Sequence, residues 1–223
     1  DMVLHGLAYE ICLVYLDDII IFGRTFEEQM QRLEAVFQRL RWARLKLKPS
    51  KCSLLQRQVE FLGHTVSQAG VAMQESKIEA VVNWPQPKDI HQLRSFLGLC
   101  SYYRRFIEGF ADTAAPLHAL TGKSVPYHWG PEQEAAFVEL KTKLTTAPVL
   151  GMPANEGQYI LDTDASDVGL GAVLSQEQDG VERPIAFASR TLQKAERNYE
   201  TTKKELLAVI YGLKQFRQYL LGR

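Results

Sequence analysis

Ile11-Cys12-Leu13-Val14-Tyr15-Leu16-Asp17-Asp18-Ile19-Ile20-Ile21-Phe22-Gly23 decides how this chain is read. Two short apolar runs, rich in β-branched and aromatic residues, flank a pair of adjacent aspartates. Each run has strand length, so the pair falls where a hairpin turns. Two carboxylates a few ångströms apart repel by roughly 4 kcal/mol at a surface-like dielectric. A divalent cation removes that repulsion. Mg²⁺ takes one or two protein carboxylates and keeps its other positions for water and phosphate oxygens, the chemistry of a two-metal phosphoryl-transfer site. Aspartate is also a common turn residue in its own right, so the pair alone leaves both readings open.

Outward from the hairpin, Thr25-Phe26-Glu27-Glu28 is a capping box. Phe26, Met30, Leu33, Phe37 and Leu40 then recur at helical spacing, with Pro49 as the stop. Val59 to Met73 predicts a second hairpin, turning at Gln68-Ala69-Gly70. A helix is expected from Ser76 to Trp84, and another capped by Asp89 and running toward Phe106. A further helix spans Pro131 to Leu144, with Pro in its first turn. The Pro/Gly-bearing stretch 147–153 is the expected domain boundary. Beyond it, 159–166, 169–176 and 184–189 read as an antiparallel meander. Alternation puts Ile160, Asp162 and Asp164 on one face of its first strand. Thr201 to Leu221 is the last helix, with Leu206, Val209, Ile210, Leu213 and Phe216 as its apolar stripe.

The 223 residues carry 26 basic and 26 acidic side chains, so total charge selects no partner. Its distribution is uneven. Arg24 to Arg57 holds nine bases and three acids, Gly151 to Glu182 seven acids and no Lys or Arg, and Arg183 to Arg223 nine bases and three acids. Basic blocks suit a phosphate backbone and the acidic block suits a cation; each block also reads as a solvated helix face. Three widely spaced cysteines and five histidines without metal-ligand spacing give no disulfide framework or zinc cluster. No apolar run reaches transmembrane length. An intracellular setting, cytoplasmic particle or nucleus, is expected, with no membrane partner. The opening residues read as the end of an interrupted helical or loop segment.

Tyr15-Leu16-Asp17-Asp18 after an apolar strand and before Ile-Ile-Ile-Phe-Gly resembles the catalytic hairpin of reverse transcriptases, above all the gypsy-type LTR retrotransposon Pol group. Phe61-Leu62-Gly63-His64 resembles that family's primer grip. Leu97-Gly98-Leu99-Cys100-Ser101-Tyr102-Tyr103-Arg104-Arg105-Phe106-Ile107 resembles its thumb helices. Thr163-Asp164-Ala165-Ser166 and Lys204-Glu205-Leu206-Leu207-Ala208 resemble the strand and helix motifs of a ribonuclease H domain. The resemblance implies an α+β fold: palm-end hairpins (1–75), a helical thumb and connection (76–150), then the first half of a ribonuclease H-like domain, three antiparallel strands and a helix (151–223).

The resemblance further implies RNA-directed DNA polymerase and ribonuclease H activities using Mg²⁺, or Mn²⁺ in its place. Asp17 and Asp18 would be metal ligands of the first site, and Asp164 and Glu205 of the second, with Asp162 and Asp167 second to them or solvated. Tyr15, Leu16, Phe61, Leu62, Gly63, His64, Arg104 and Arg105 would contact nucleic acid. The implied partners are an RNA template, a DNA primer, their hybrid, deoxynucleoside triphosphates and the rest of the Pol polyprotein. Each site holds only part of the family's carboxylate set, so the isolated chain is expected to be inactive or nearly so. A non-catalytic retroelement remnant or host-recruited scaffold binding nucleic acid or protein is the alternative.

Overall fold

A computed structural model describes residues 2–222. It divides into two compact units, one built from residues up to Leu62 with Val66–Gln68, the other from Gly63–Thr65 with residues from Ala69 onward.

In the first unit, β1 (Cys12–Tyr15) and β2 (Asp18–Ile21) form an antiparallel hairpin in which Tyr15 pairs with Asp18. Helix α1 (Phe26–Trp42) starts where Thr25 Oγ1 accepts from the Glu28 N–H at 3.1 Å. The reciprocal half of the capping box is shifted by one residue: Glu28 accepts from the Arg24 N–H, not from Thr25. The buried stripe is Leu33, Val36 and Leu40, while Phe26 and Met30 are exposed. The short hairpin explains the difference, since the core of Leu4, Cys12, Val36 and Leu40 reaches only the second half of α1. The helix also stops well before Pro49. Arg44 enters the left-handed region (φ +58°) and the Leu45 N–H donates to the Leu40 carbonyl at 3.0 Å, a Schellman-type ending.

The segment expected as one hairpin contains three strands, β3 (Gln58–Phe61), β4 (His64–Ser67) and β5 (Gly70–Met73). Leu62 and Gly63 both take positive φ, +49° and +71°. Paired positive φ at the two central residues defines the type I′ hairpin turn, so Leu62-Gly63 is a turn and not strand interior.

The second unit packs helices α2 (Glu75–Val82), α3 (Ile90–Tyr102), α4 (Phe110–Ala119) and α5 (Pro131–Thr145) around one core. Asp89 caps α3 as expected, accepting from the His91 and Gln92 N–H groups at 2.8 and 2.9 Å. The Phe96 and Phe137 rings meet at 4.7 Å at the centre of this core. Helix α4 was not legible in the sequence: it carries Pro116 internally and has no side-chain cap at Gly109.

The meander is observed as β6 (Tyr159–Ala165), β7 (Gly169–Gln178) and β8 (Val181–Thr191), in that order in one antiparallel sheet. The expected boundary near 151 is not a loose linker. Leu150 is fully buried, bridges Val71 of β5 through two 2.8 Å hydrogen bonds, and is followed by a Gly151 N–H donated to Pro184 at 2.7 Å. Residues 76–150 and 151–222 therefore fold as one compact unit.

Helix α6 (Thr201–Gln215), followed by the short α7 (Arg217–Leu220), lies against this sheet. The expected stripe is mostly wrong. Lys204, Ala208 and Gly212 are the buried residues of α6, and Leu206, Val209, Ile210 and Leu213 are exposed, Leu206 by 61%. Small residues win the inner face because the backbone comes close: a Cβ on Gly212 would stand 3.2–3.3 Å from Ala172, Leu161 and Thr163. Only Phe216, just past the helix, is buried as expected.

Candidate nucleic-acid and metal sites

In the first unit, Leu16 and Asp17 form the two-residue turn between β1 and β2. Leu16 has φ +53° and its side chain is exposed. Non-glycine residues rarely hold this conformation, and where they do the strain often accompanies a functional site. Asp17 and Asp18 are likewise exposed. They are among the residues that line a cavity of about 480 Å³, with Ile21, Phe37, Lys46 and Lys51. Their hard oxygens and open position suit Mg²⁺. No group of three or more His, Cys, Asp or Glu side chains able to hold a metal forms among the described residues.

In the second unit, Gly63 and His64 sit in an aromatic cage. The His64 ring lies 5.4–5.6 Å from the Tyr102, Tyr103 and Phe106 rings, stacked on the last. The Tyr103 hydroxyl donates to the Gly63 carbonyl at 2.6 Å. Tyr102 keeps an exposed face. The two tyrosines are neighbours in the sequence, yet the 3.6-residue turn separates them, Tyr102 outward and Tyr103 inward.

Arg104 and Arg105, expected at nucleic acid, turn toward β8. Arg104 Nη2 donates to the Ser189 carbonyl and Arg105 Nη2 to the Ile185 carbonyl, the latter at 3.3 Å. Their planes also lie over the Phe110 and Phe106 rings, at 5.3 and 5.9 Å. These contacts cover part of a strand edge that would otherwise present open backbone groups.

Asp164 lies near the end of β6 and is exposed; Glu205 lies near the start of α6 and is half-buried. Leu161 and Thr163 are the β6 residues against Gly212 of α6, so alternation turns Asp162 and Asp164 to the opposite face. Both carboxylates still belong to one end of the layer, because Lys204 Nζ reaches Asp167 Oδ1, just past β6, at 2.7 Å. The Lys204 side chain is 9% exposed and that of Asp167 97%, an alkyl stem buried under the sheet end with its amine at the surface. Ser166, between Asp164 and Asp167, accepts from the Val168 and Gly169 N–H groups and donates to Asp112 Oδ2 of α4 at 2.8 Å. Neither Lys204 nor Asp112 was picked out from the sequence. A buried lysine in a first helical turn carries no periodic signal, and Asp112 lies in a helix that was not foreseen.

The Lys204 hydrogen bond holds the Asp167 carboxyl below the ordinary aspartate range. Because the folded value is depressed, the stabilising contact is present above the unfolded pKa of about 3.9 and is lost as pH falls through the lower folded value. Carbon-detected NMR titration should place the Asp167 midpoint below that of a free aspartate, and Lys204→Met should return it to the ordinary value. An unshifted midpoint in the parent chain would refute the contact.

A family model described as reverse transcriptase (RNA-dependent DNA polymerase) matches residues 2–66. A second, described as an RNase H-like domain found in reverse transcriptase, matches residues 129–223. The retrovirus-related Pol polyprotein from transposon 297 of Drosophila melanogaster is 42% identical over 99% of this chain. That from transposon 412 of the same organism is 37% identical over 98%, and the Tf2-3 polyprotein of Schizosaccharomyces pombe 38% over 92%. The chain spans only 21%, 18% and 16% of those relatives' lengths. Among solved structures, a foamy viral protease-reverse transcriptase in complex with double-stranded DNA superposes on the whole chain with a TM-score of 0.87 at 26% identity, over 39% of its own length. A foamy viral protease-reverse transcriptase in complex with RNA/DNA hybrid does so with a TM-score of 0.83 at 26% identity, over 30% of its length.

Proposed function

The chain belongs to the reverse transcriptase and RNase H family of retrovirus-related Pol polyproteins, and from that premise we propose that it contributes to RNA-directed DNA synthesis and to removal of RNA from RNA–DNA hybrids. The observation that carries the reading is the Tyr15–Asp18 turn, two open carboxylates presented by a strained hairpin. Asp17 and Asp18 would hold Mg²⁺, or Mn²⁺ in its place; when bound, such an ion neutralises charge developing on phosphoryl oxygens. Leu16 would pack under the last primer base pair, with Tyr15 beside it. The Phe61–His64 turn would hold the primer backbone. Asp164 and Glu205 would serve the RNA-cleaving site, where carboxylate–metal chemistry generates the attacking water.

The substrates that fit are a DNA primer on an RNA template and an incoming deoxynucleoside triphosphate. The foamy viral enzymes' complexes with double-stranded DNA and RNA/DNA hybrid support the duplex part of this reading. Fluorescence anisotropy with a primer–template bearing a recessed 3′ end tests it. The complementary nucleotide and Mg²⁺ should tighten binding together by about tenfold, and Asp17→Asn/Asp18→Asn should abolish that gain. Equal binding by parent and variant under all conditions would overturn the reading. Primer extension by the isolated chain is not expected, because the described residues supply no third ligand.

A further inference from the structure

We propose that Tyr103 is a positioning residue that fixes Gly63 of the Leu62–Gly63 turn, and so the backbone that would hold a primer terminus. The proposal rests on the polymerase reading of Phe61–His64. Tyr103 is the C-cap residue just past α3, 40 residues from Gly63, and is 1% exposed. Its O–H donates to the Gly63 carbonyl at 2.6 Å, and the Gln74 N–H donates to the same oxygen at 3.2 Å. Two donors from two different segments therefore converge on one carbonyl of the turn.

The fit around the phenol is close. A Cβ on Gly63 would come within 2.8 Å of the Tyr103 oxygen, and Gly63 needs φ +71° for the turn itself. The same ring meets His64 edge-on at 5.4 Å, and Phe106 stacks on that imidazole at 5.6 Å. The phenol contributes a hydrogen bond and its ring a wall, so the turn is held in both position and orientation. Burial, with Tyr102 adjacent, pushes the Tyr103 hydroxyl up to about 12. It stays an O–H donor throughout the neutral range.

Tyr103→Phe keeps the ring and deletes the donor, which separates positioning from packing. Two readouts are needed. Hydrogen–deuterium exchange over residues 63–65 should speed up about tenfold, the scale of one lost hydrogen bond to a partly buried carbonyl. Affinity for a primer–template with a recessed 3′ end should fall by about the same factor, while affinity for a blunt duplex of equal length stays unchanged. Gly63→Ala, which drives a Cβ against the phenol oxygen, should reproduce both effects by a second route. Unchanged exchange in Tyr103→Phe overturns the proposal. So does faster exchange with equal losses on both duplexes, which leaves only a structural tie. If the parent chain itself shows no preference for the recessed end, the primer-holding reading of Phe61–His64 fails, and that failure is visible before any variant is compared.

Discussion

Gly70→Ala should lower the stability of the second unit by roughly 3–5 kcal/mol, the sum of a strained backbone and a broken two-bond bridge. Gly70 opens β5 with φ +133°, and a Cβ there would be driven into the Leu150 carbonyl. That carbonyl is not free to move. It accepts the Val71 N–H at 2.8 Å while the Leu150 N–H returns a 2.8 Å bond to Val71. The substitution must therefore pull Leu150, fully buried, out of the core or abandon the bridge. For a unit of this size the melting temperature should drop by about 10 °C. Gly98→Ala is the control. It lies within α3 with nothing near its Cβ position, and should raise stability by up to about 1 kcal/mol. Equal melting temperatures for the two variants would refute the role given to the Val71–Leu150 bridge.

Gly212→Leu should separate α6 from the sheet, with a loss of about 3 kcal/mol or more from overpacking. Even a methyl group at this position would meet the Ala172 β-carbon, Leu161 and Thr163 at 3.2–3.3 Å. Gly212→Ala balances that crowding against a helix-propensity gain of about 1 kcal/mol and should be close to neutral. The Leu variant also displaces the start of α6, two turns away, where Glu205 and the Lys204–Asp167 contact lie. The two losses should appear together: circular dichroism reports the unfolding, and the Asp167 carboxyl returns to its ordinary range. A stable Gly212→Leu chain with Asp167 still depressed would contradict the packing described.

The sequence made the central hairpin, the Thr25 and Asp89 caps and the three-stranded meander legible, because each has a local signal in residue type or spacing. It failed where the deciding contact is remote. Leu62 is no turn former, and its positive φ is sustained by a partner, Gly63, that reads equally well as strand. The apolar residues of α6 are real, but the helix presents a small inner face to the sheet and a larger apolar face outward, so periodicity selected the wrong side. Arg104 and Arg105 read as a phosphate-binding pair, whereas carbonyls of β8, 85 and 80 residues on, accept hydrogen bonds from them. At the candidate sites, the carboxylates proposed as metal ligands are the residues that the sequence singles out. Lys204 and Asp112, which tie down the Ser166–Asp167 segment, and Tyr103, which holds the Gly63 carbonyl, became visible only with the tertiary structure.

Asp17 and Asp18, presented by the β1–β2 turn, are proposed as the divalent-metal site on which polymerase chemistry would depend. Paramagnetic line broadening by Mn²⁺ in the amide spectrum of the 223-residue chain tests this most directly. Broadening should begin at Leu16–Ile19 at the lowest Mn²⁺ concentrations, be reversed by excess Mg²⁺, and vanish in Asp17→Asn/Asp18→Asn. Broadening that starts elsewhere, or that survives the double substitution, would contradict the assignment.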